Sequence, residues 1–123
     1  MPFAASVLEE YAEEYFKLDL EPIRYRFMTN TVETTSIGRK KLSAAIHPYD
    51  ETCRPNIVMK GSNHNYEELI TEFGKITDTY AVLNTSLNLH GLPICSSYTD
   101  VIHVFVNGDL DGLLLDDLLL VKK

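Results

Sequence analysis

Residues 65–91 read NYEELITEFGKITDTYAVLNTSLNLHG, and how this stretch coils decides the fold. Leu69, Phe73, Ile76, Tyr80, Leu83 and Leu87 recur at alternating four- and three-residue steps, which lines them along one stripe of a helix. Asn65 suits the N-cap, and Glu68 three residues later completes a variant of the capping box. Gly91 and Pro93 supply a stop. Two features argue for a shorter helix. Gly74 weakens its interior, and Thr77 to Leu89 is rich in Thr, Asn and Ser, which form helices poorly. A helix ending near Asp78 with a strand over 80–87 is the alternative; the unbroken phase favours a long helix over 65–89.

Working outward, Ser6 and Glu9 form an S-x-x-E capping box, and Leu8, Tyr11, Ala12 and Tyr15 share a face. That predicts a shorter N-terminal helix over 6–17, stopped before Pro22. Residues 23–28 alternate as a half-buried strand with Ile23, Tyr25 and Phe27 inward. Residues 31–37 are rich in β-branched side chains and suit a second strand, joined to the first through Thr29-Asn30 as a hairpin. Residues 41–46 fit a short helix or a strand, and 47–55 a loop. Ile57-Val58-Met59 reads as a short strand. Residues 94–98, 101–106 and 113–121 read as further strands, with a turn at Asn107-Gly108. The expected fold class is α+β. An antiparallel or mixed sheet of about four to six strands carries the 65–89 helix across one face and the 6–17 helix beside it. At 123 residues, without repeat or linker, the chain reads as one α+β domain over 1–123.

Composition narrows the function classes. The net charge is −7, and it is uneven: residues 1–20 and 61–123 are acidic, whereas 21–60 carry a net positive charge. An acidic chain is a poor duplex-DNA binder, because phosphate neutralisation needs a dominant basic face. The start of the sequence has no basic and apolar pattern of a secretory leader, and no apolar run reaches the roughly 18 residues of a membrane span. A cytoplasmic protein is the expectation. Two cysteines, Cys53 and Cys95, do not make a disulfide framework and are expected as free thiols.

Three readings of function follow. The first is a small acidic non-catalytic binding protein, such as an inhibitor, immunity factor, adaptor or assembly subunit. It would meet another protein, or a second copy in a homo-oligomer, through Glu9, Glu10, Glu13 and Glu14; plain solvated charge explains the same glutamates. The apolar strands near the C-terminus offer a second surface, as sheet edges open to a partner. The alternative is a small-anion or nucleotide-binding module. Arginine grips phosphate or carboxylate through paired hydrogen bonds, and Arg24, Arg26, Arg39, Lys40 and Arg54 supply the cations, with Tyr25 and Tyr49 near in sequence for stacking. Pairing of these cations with the glutamates of the first helix is the simpler account.

The third reading, a Cys–His hydrolase, has the least behind it. G-x-S-x-G, H-E-x-x-H and a Gly-rich phosphate loop are all missing, so binding is favoured over catalysis. His47, His64, His90 and His103 stand at irregular distances from the cysteines, unlike zinc ligands, and His103 within Val-Ile-His-Val-Phe reads as a packed strand residue. Asn107 to Gly112 opens like a calcium loop, but Leu118 stands where a bidentate acid is needed. No metal or cofactor is expected.

Overall fold

The computed structural model describes residues 4–123; Met1 to Phe3, part of the stretch read for a leader, lie outside them. The fold class is α+β, with a mixed sheet, one long helix and a short helical segment near the N-terminus. The chain divides into two compact units, Met1–Thr85 and Ser86–Lys123.

The first unit begins with β1, Ala4–Leu8, whose five residues are all buried. This corrects the start of the expected 6–17 helix. A strand covered on both faces shows no alternation, so Ala-Ala-Ser-Val-Leu gives no period-two signal. The helical part is a 3-10 turn, Glu9–Tyr11, running into α1, Ala12–Tyr15. Glu9 does not cap it: its carboxylate accepts from the Lys60 N–H at 2.9 Å. The expected 23–28 strand is instead a 3-10 turn, Pro22–Tyr25, because proline is pre-set for a first helical position. Only Tyr25 of its supposed inner face is buried, whereas Ile23 and Phe27 are exposed. Strand β2 is confined to Val32–Glu33. The chain then turns helical because the Thr35 side chain accepts from the Gly38 N–H at 3.0 Å and caps α2, Ser36–Lys41. The expected 23–37 hairpin is therefore absent, and β2 pairs with β3, Thr52–Cys53.

Strand β4, Asn56–Val58, matches the expected Ile57–Met59 strand to within a residue. Helix α3 covers His64–Thr77, and its N-cap is Asn63, whose side chain accepts from the Tyr66 N–H at 3.2 Å. The 65–89 helix is thus corrected to its shorter form. Asp78 takes a left-handed φ of 56°, and the chain re-enters the sheet as β5, Ala81–Asn84. The six-residue stripe is not the buried seam. Leu69, Phe73 and Ile76 are exposed, while Ile70 and Gly74 are buried and Tyr66 is half-buried, so the inward face follows 66, 70 and 74. Gly74 is required there, since a Cβ would stand 2.2 Å from the Tyr80 ring.

Sheet order in this unit is β4-β1-β5, with β1 parallel to β4 and antiparallel to β5. One face packs Ala5, Val7, Ile57 and Ala81 against Tyr15, Phe16 and Tyr25. The other packs Leu8 and Val58 against Ile70 of α3, with Tyr11 and Tyr80 stacked at 3.8 Å beside them. The buried Tyr15 hydroxyl accepts from the Tyr80 N–H at 3.1 Å. Lys41 reaches Glu14 at 3.6 Å and Asp78 at 3.1 Å, which ties α1, α2 and the end of α3 together.

The second unit holds α4, Tyr98–Asn107, where sequence reading expects a 101–106 strand. The deciding signal is a capping box: Ser97 accepts from the Asp100 N–H at 3.2 Å, and the Asp100 carboxylate accepts from the Ser97 N–H at 3.0 Å. Residues 94–97 form no strand. The expected last strand, 113–121, is a hairpin of β6, Gly112–Leu115, and β7, Leu118–Val121, folded at Asp116 with a φ of 50°. Val104, Phe105 and Leu113 are the buried apolar residues of this unit.

Candidate functional site

Ser6 stands in the middle of β1 with no solvent exposure, and a buried hydroxyl costs free energy unless it is hydrogen-bonded. Two carboxamides meet that need. Asn56 Nδ2 donates to Ser6 Oγ at 2.9 Å, and Asn84 Nδ2 donates to the same oxygen at 3.0 Å. Strand register dictates the meeting. Ser6 pairs with Asn56, and Ala4, two residues from Ser6 on the same face, pairs with Asn84. Each asparagine is half-buried, and its Oδ1 and second N–H have no partner among the described residues. Arg54 lies two residues before Asn56, is half-buried, and makes no ion pair among the described residues. The end of the sheet thus presents two half-buried carboxamides, held together by a buried hydroxyl, with a guanidinium close by in sequence. Such a set recognises a planar group that both donates and accepts hydrogen bonds, and favours a negative charge beside it.

Of the basic residues singled out from sequence, Arg39 is engaged: it lies 3.2 Å from Glu51 and donates to the Thr34 carbonyl at 2.9 Å. Lys40 borders an open cavity of about 430 Å³ that also includes Glu14 and Lys41. Arg24 is exposed and Arg26 lies over the Phe27 ring at 5.1 Å. No hydrogen bond or ion pair among the described residues links Arg24, Arg26 or Arg54 with the partners of Arg39 and Lys40. Tyr25 is buried with its hydroxyl donating to Asp19, and Tyr49 is exposed. Among the glutamates, Glu9 and Glu10 border a cavity of about 460 Å³ with Lys60 and Glu67, Glu14 pairs with Lys41, and Glu13 is exposed.

Burial raises the Cys53 thiol to about 11, which keeps it protonated at neutral pH. Asn107 ends α4, with its side-chain N–H donating to the His103 carbonyl at 2.8 Å. No group of three or more His, Cys, Asp or Glu side chains among the described residues could hold a metal ion. No helix among them is long and apolar enough to cross a membrane.

Sequence reading missed Ser6, Asn56 and Asn84. The signal was present: each is the one polar residue in a short, otherwise apolar strand, at Ala4–Leu8, Asn56–Val58 and Ala81–Asn84. A polar side chain in a strand buried on both faces has to find partners on neighbouring strands.

Residues 1–122 match the family described as Carbamoyltransferase C-terminus, and the chain belongs to that family. It is 38% identical over 122 residues to nodulation protein NolNO of Sinorhizobium fredii, a match covering 99% of this chain and 18% of that protein. Nodulation protein NolO of Bradyrhizobium diazoefficiens is 37% identical, over 99% of this chain and 22% of its own length. An uncharacterized protein of Methanocaldococcus jannaschii is 34% identical, over 99% of this chain and 23% of its own length. The chain spans about a fifth of the length of these relatives.

Proposed function

We propose that the chain serves a carbamoyltransferase as a binding module, holding a carbamoyl-bearing, negatively charged ligand at the Ser6–Asn56–Asn84 end of the sheet. The observation that carries this reading is the convergence of two carboxamides on one buried hydroxyl, in a chain matched over nearly its whole length by a carbamoyltransferase family. A carbamoyl group is itself a carboxamide. Its carbonyl accepts and its amino group donates, so asparagine side chains complement it through paired N–H···O bonds. Arg54 is suited to the charged remainder of the ligand. The module contributes recognition and leaves bond breaking to other groups of the larger protein; a Cys53 thiol held near 11 is a poor nucleophile at neutral pH.

Calorimetric titration tests the reading with carbamoyl phosphate as probe, against acetyl phosphate and inorganic phosphate. Replacing the amino group by methyl removes at least one hydrogen bond, so carbamoyl phosphate should bind about tenfold more tightly than acetyl phosphate. Asn84→Ala should erase that preference while Arg54→Ala weakens binding of both acyl phosphates. Equal binding of the two acyl phosphates, or binding untouched by Asn84→Ala, would overturn the proposal, as would no binding of any probe.

A further inference from the structure

The hairpin of the second unit leaves a strand edge uncovered. Within that unit Leu118, Leu119 and Val121 are 67%, 68% and 65% exposed, and β7 pairs only with β6. Natural edge strands block unwanted pairing with prolines, bulges or charges, and β7 contains none of these between Leu118 and Val121. Two strands alone are also marginal in water; a third strand stabilises them.

We propose that β7 is a self-association strand, pairing antiparallel with β7 of a second copy of this chain about a two-fold axis at Leu120. Hydrogen-bond alternation restricts the register. The Lys122 N–H donates to the Asp111 carbonyl at 3.0 Å, so Lys122, Leu120 and Leu118 direct their backbone groups toward β6. Leu119 and Val121 direct theirs outward, and only odd-numbered residues can bond across the new edge. Centring the pair on Leu120 sets Leu119 against Val121 of the second copy.

Charge selects this register over its neighbours. The segment reads Asp116-Asp117-Leu-Leu-Leu-Val-Lys122-Lys123, acidic at one end and basic at the other. An antiparallel copy brings unlike ends together, and the Leu120 register sets Asp117 opposite Lys123 of the second copy, twice by symmetry. Lys122 is already committed, with Nζ donating to the Gly108 carbonyl and lying 5.3 Å over the Phe105 ring. Lys123 has no recorded partner among the described residues. By strand alternation Leu119 and Val121 share one face, and Asp117 in the turn before β7 and Lys123 beyond its end flank that apolar stripe with charges of opposite sign.

Sedimentation equilibrium of the whole chain across a concentration series tests this, with circular dichroism checking that each variant folds. The expected result is a monomer–dimer equilibrium. Leu119→Pro removes an outward amide without touching the bonds to β6, and should abolish the dimer. Asp117→Lys sits in an exposed turn, keeps the fold, and should weaken dimerisation about tenfold by opposing like charges at two places. The double variant Asp117→Lys, Lys123→Asp should restore it, which a merely structural role for Asp117 does not predict. A chain monomeric at every concentration, a dimer indifferent to Leu119→Pro, or a charge swap that fails to restore association would each overturn the proposal.

Discussion

Replacing Gly38 by alanine sets two effects of opposite sign against each other. Gly38 lies inside α2, where alanine in place of glycine is worth about 1 kcal/mol of helix stability. Its missing side chain is also where the chain crosses itself. A Cβ at this position would stand 2.1 Å from the Tyr15 carbonyl oxygen and 3.0 Å from its carbon. Real Cβ atoms stay beyond 3.0 Å, so α2 or the end of α1 has to move by nearly an ångström. The same Tyr15 carbonyl accepts from the Thr35 N–H at 2.9 Å, and that displacement takes the bond out of hydrogen-bonding range. Overpacking costs about 1–3 kcal/mol and the lost bond about 1 kcal/mol, against the helix gain of about 1 kcal/mol. The net expectation is a loss of about 2 kcal/mol. With a urea slope of about 1–2 kcal/mol per molar, the unfolding midpoint should fall by roughly 1–2 M. Far-UV circular dichroism reads the transition, and fluorescence from the seven tyrosines, in a chain without tryptophan, gives a second probe. A midpoint that stays put or rises would mean that helix propensity decides the outcome. The close crossing of α1 and α2 would then be wrong.

Two further outcomes are expected. Glu67 accepts from the Gly61 and Asn63 N–H groups, each at 3.1 Å, and these bonds hold its carboxyl below the ordinary glutamate value of 4.5. A depressed carboxylate stabilises the fold above that value and loses the contribution as the pH falls from there through its own lowered value, so Glu67→Gln should flatten acid unfolding below pH 4.5 in urea titrations at stepped pH; an unchanged acid limb would refute this. Cys53 is buried with a thiol raised to about 11, so an aromatic disulfide reagent near pH 8 should modify the half-buried Cys95 first and reach Cys53 only once denaturant opens the core. Equal rates for the two thiols in native protein would contradict that burial.

The sequence was most legible where a local signal agreed with tertiary packing. The α+β class and the Ile57-Val58 strand were readable, because apolar runs there match what the core needs; the long helix begins close to its expected start, but its cap is Asn63 and not Asn65. It misled where local and tertiary signals conflict. Ser6 and Glu9 make a good capping pair, yet burial of all five residues of β1 between two neighbours outweighs one helix start. Tyr80 and Leu83 continue the phase of Leu69 and Phe73 by coincidence. The chain leaves the helix at Asp78, and α3 buries Ile70 in place of the predicted stripe. Val101 to Val106 look like a strand by β-branched composition, but the reciprocal Ser97–Asp100 bonds start a helix. The polar residues stand out singly in their strands, but their meeting was not legible: Asn56 and Asn84 lie 50 and 78 residues from Ser6, and only strand register brings them together.

Because the middle strand of the first unit is Ala4–Leu8, the earliest described segment to leave the ribosome has to wait for the end of that unit before both its edges are paired. Its neighbours, Asn56–Val58 and Ala81–Asn84, follow dozens of residues later. One edge of this apolar strand is bare until Val58 has been synthesised, and the other until Asn84. Assembly dominated by such distant pairings is slow, and nascent chains stalled before that point should be the ones that aggregate or recruit chaperones.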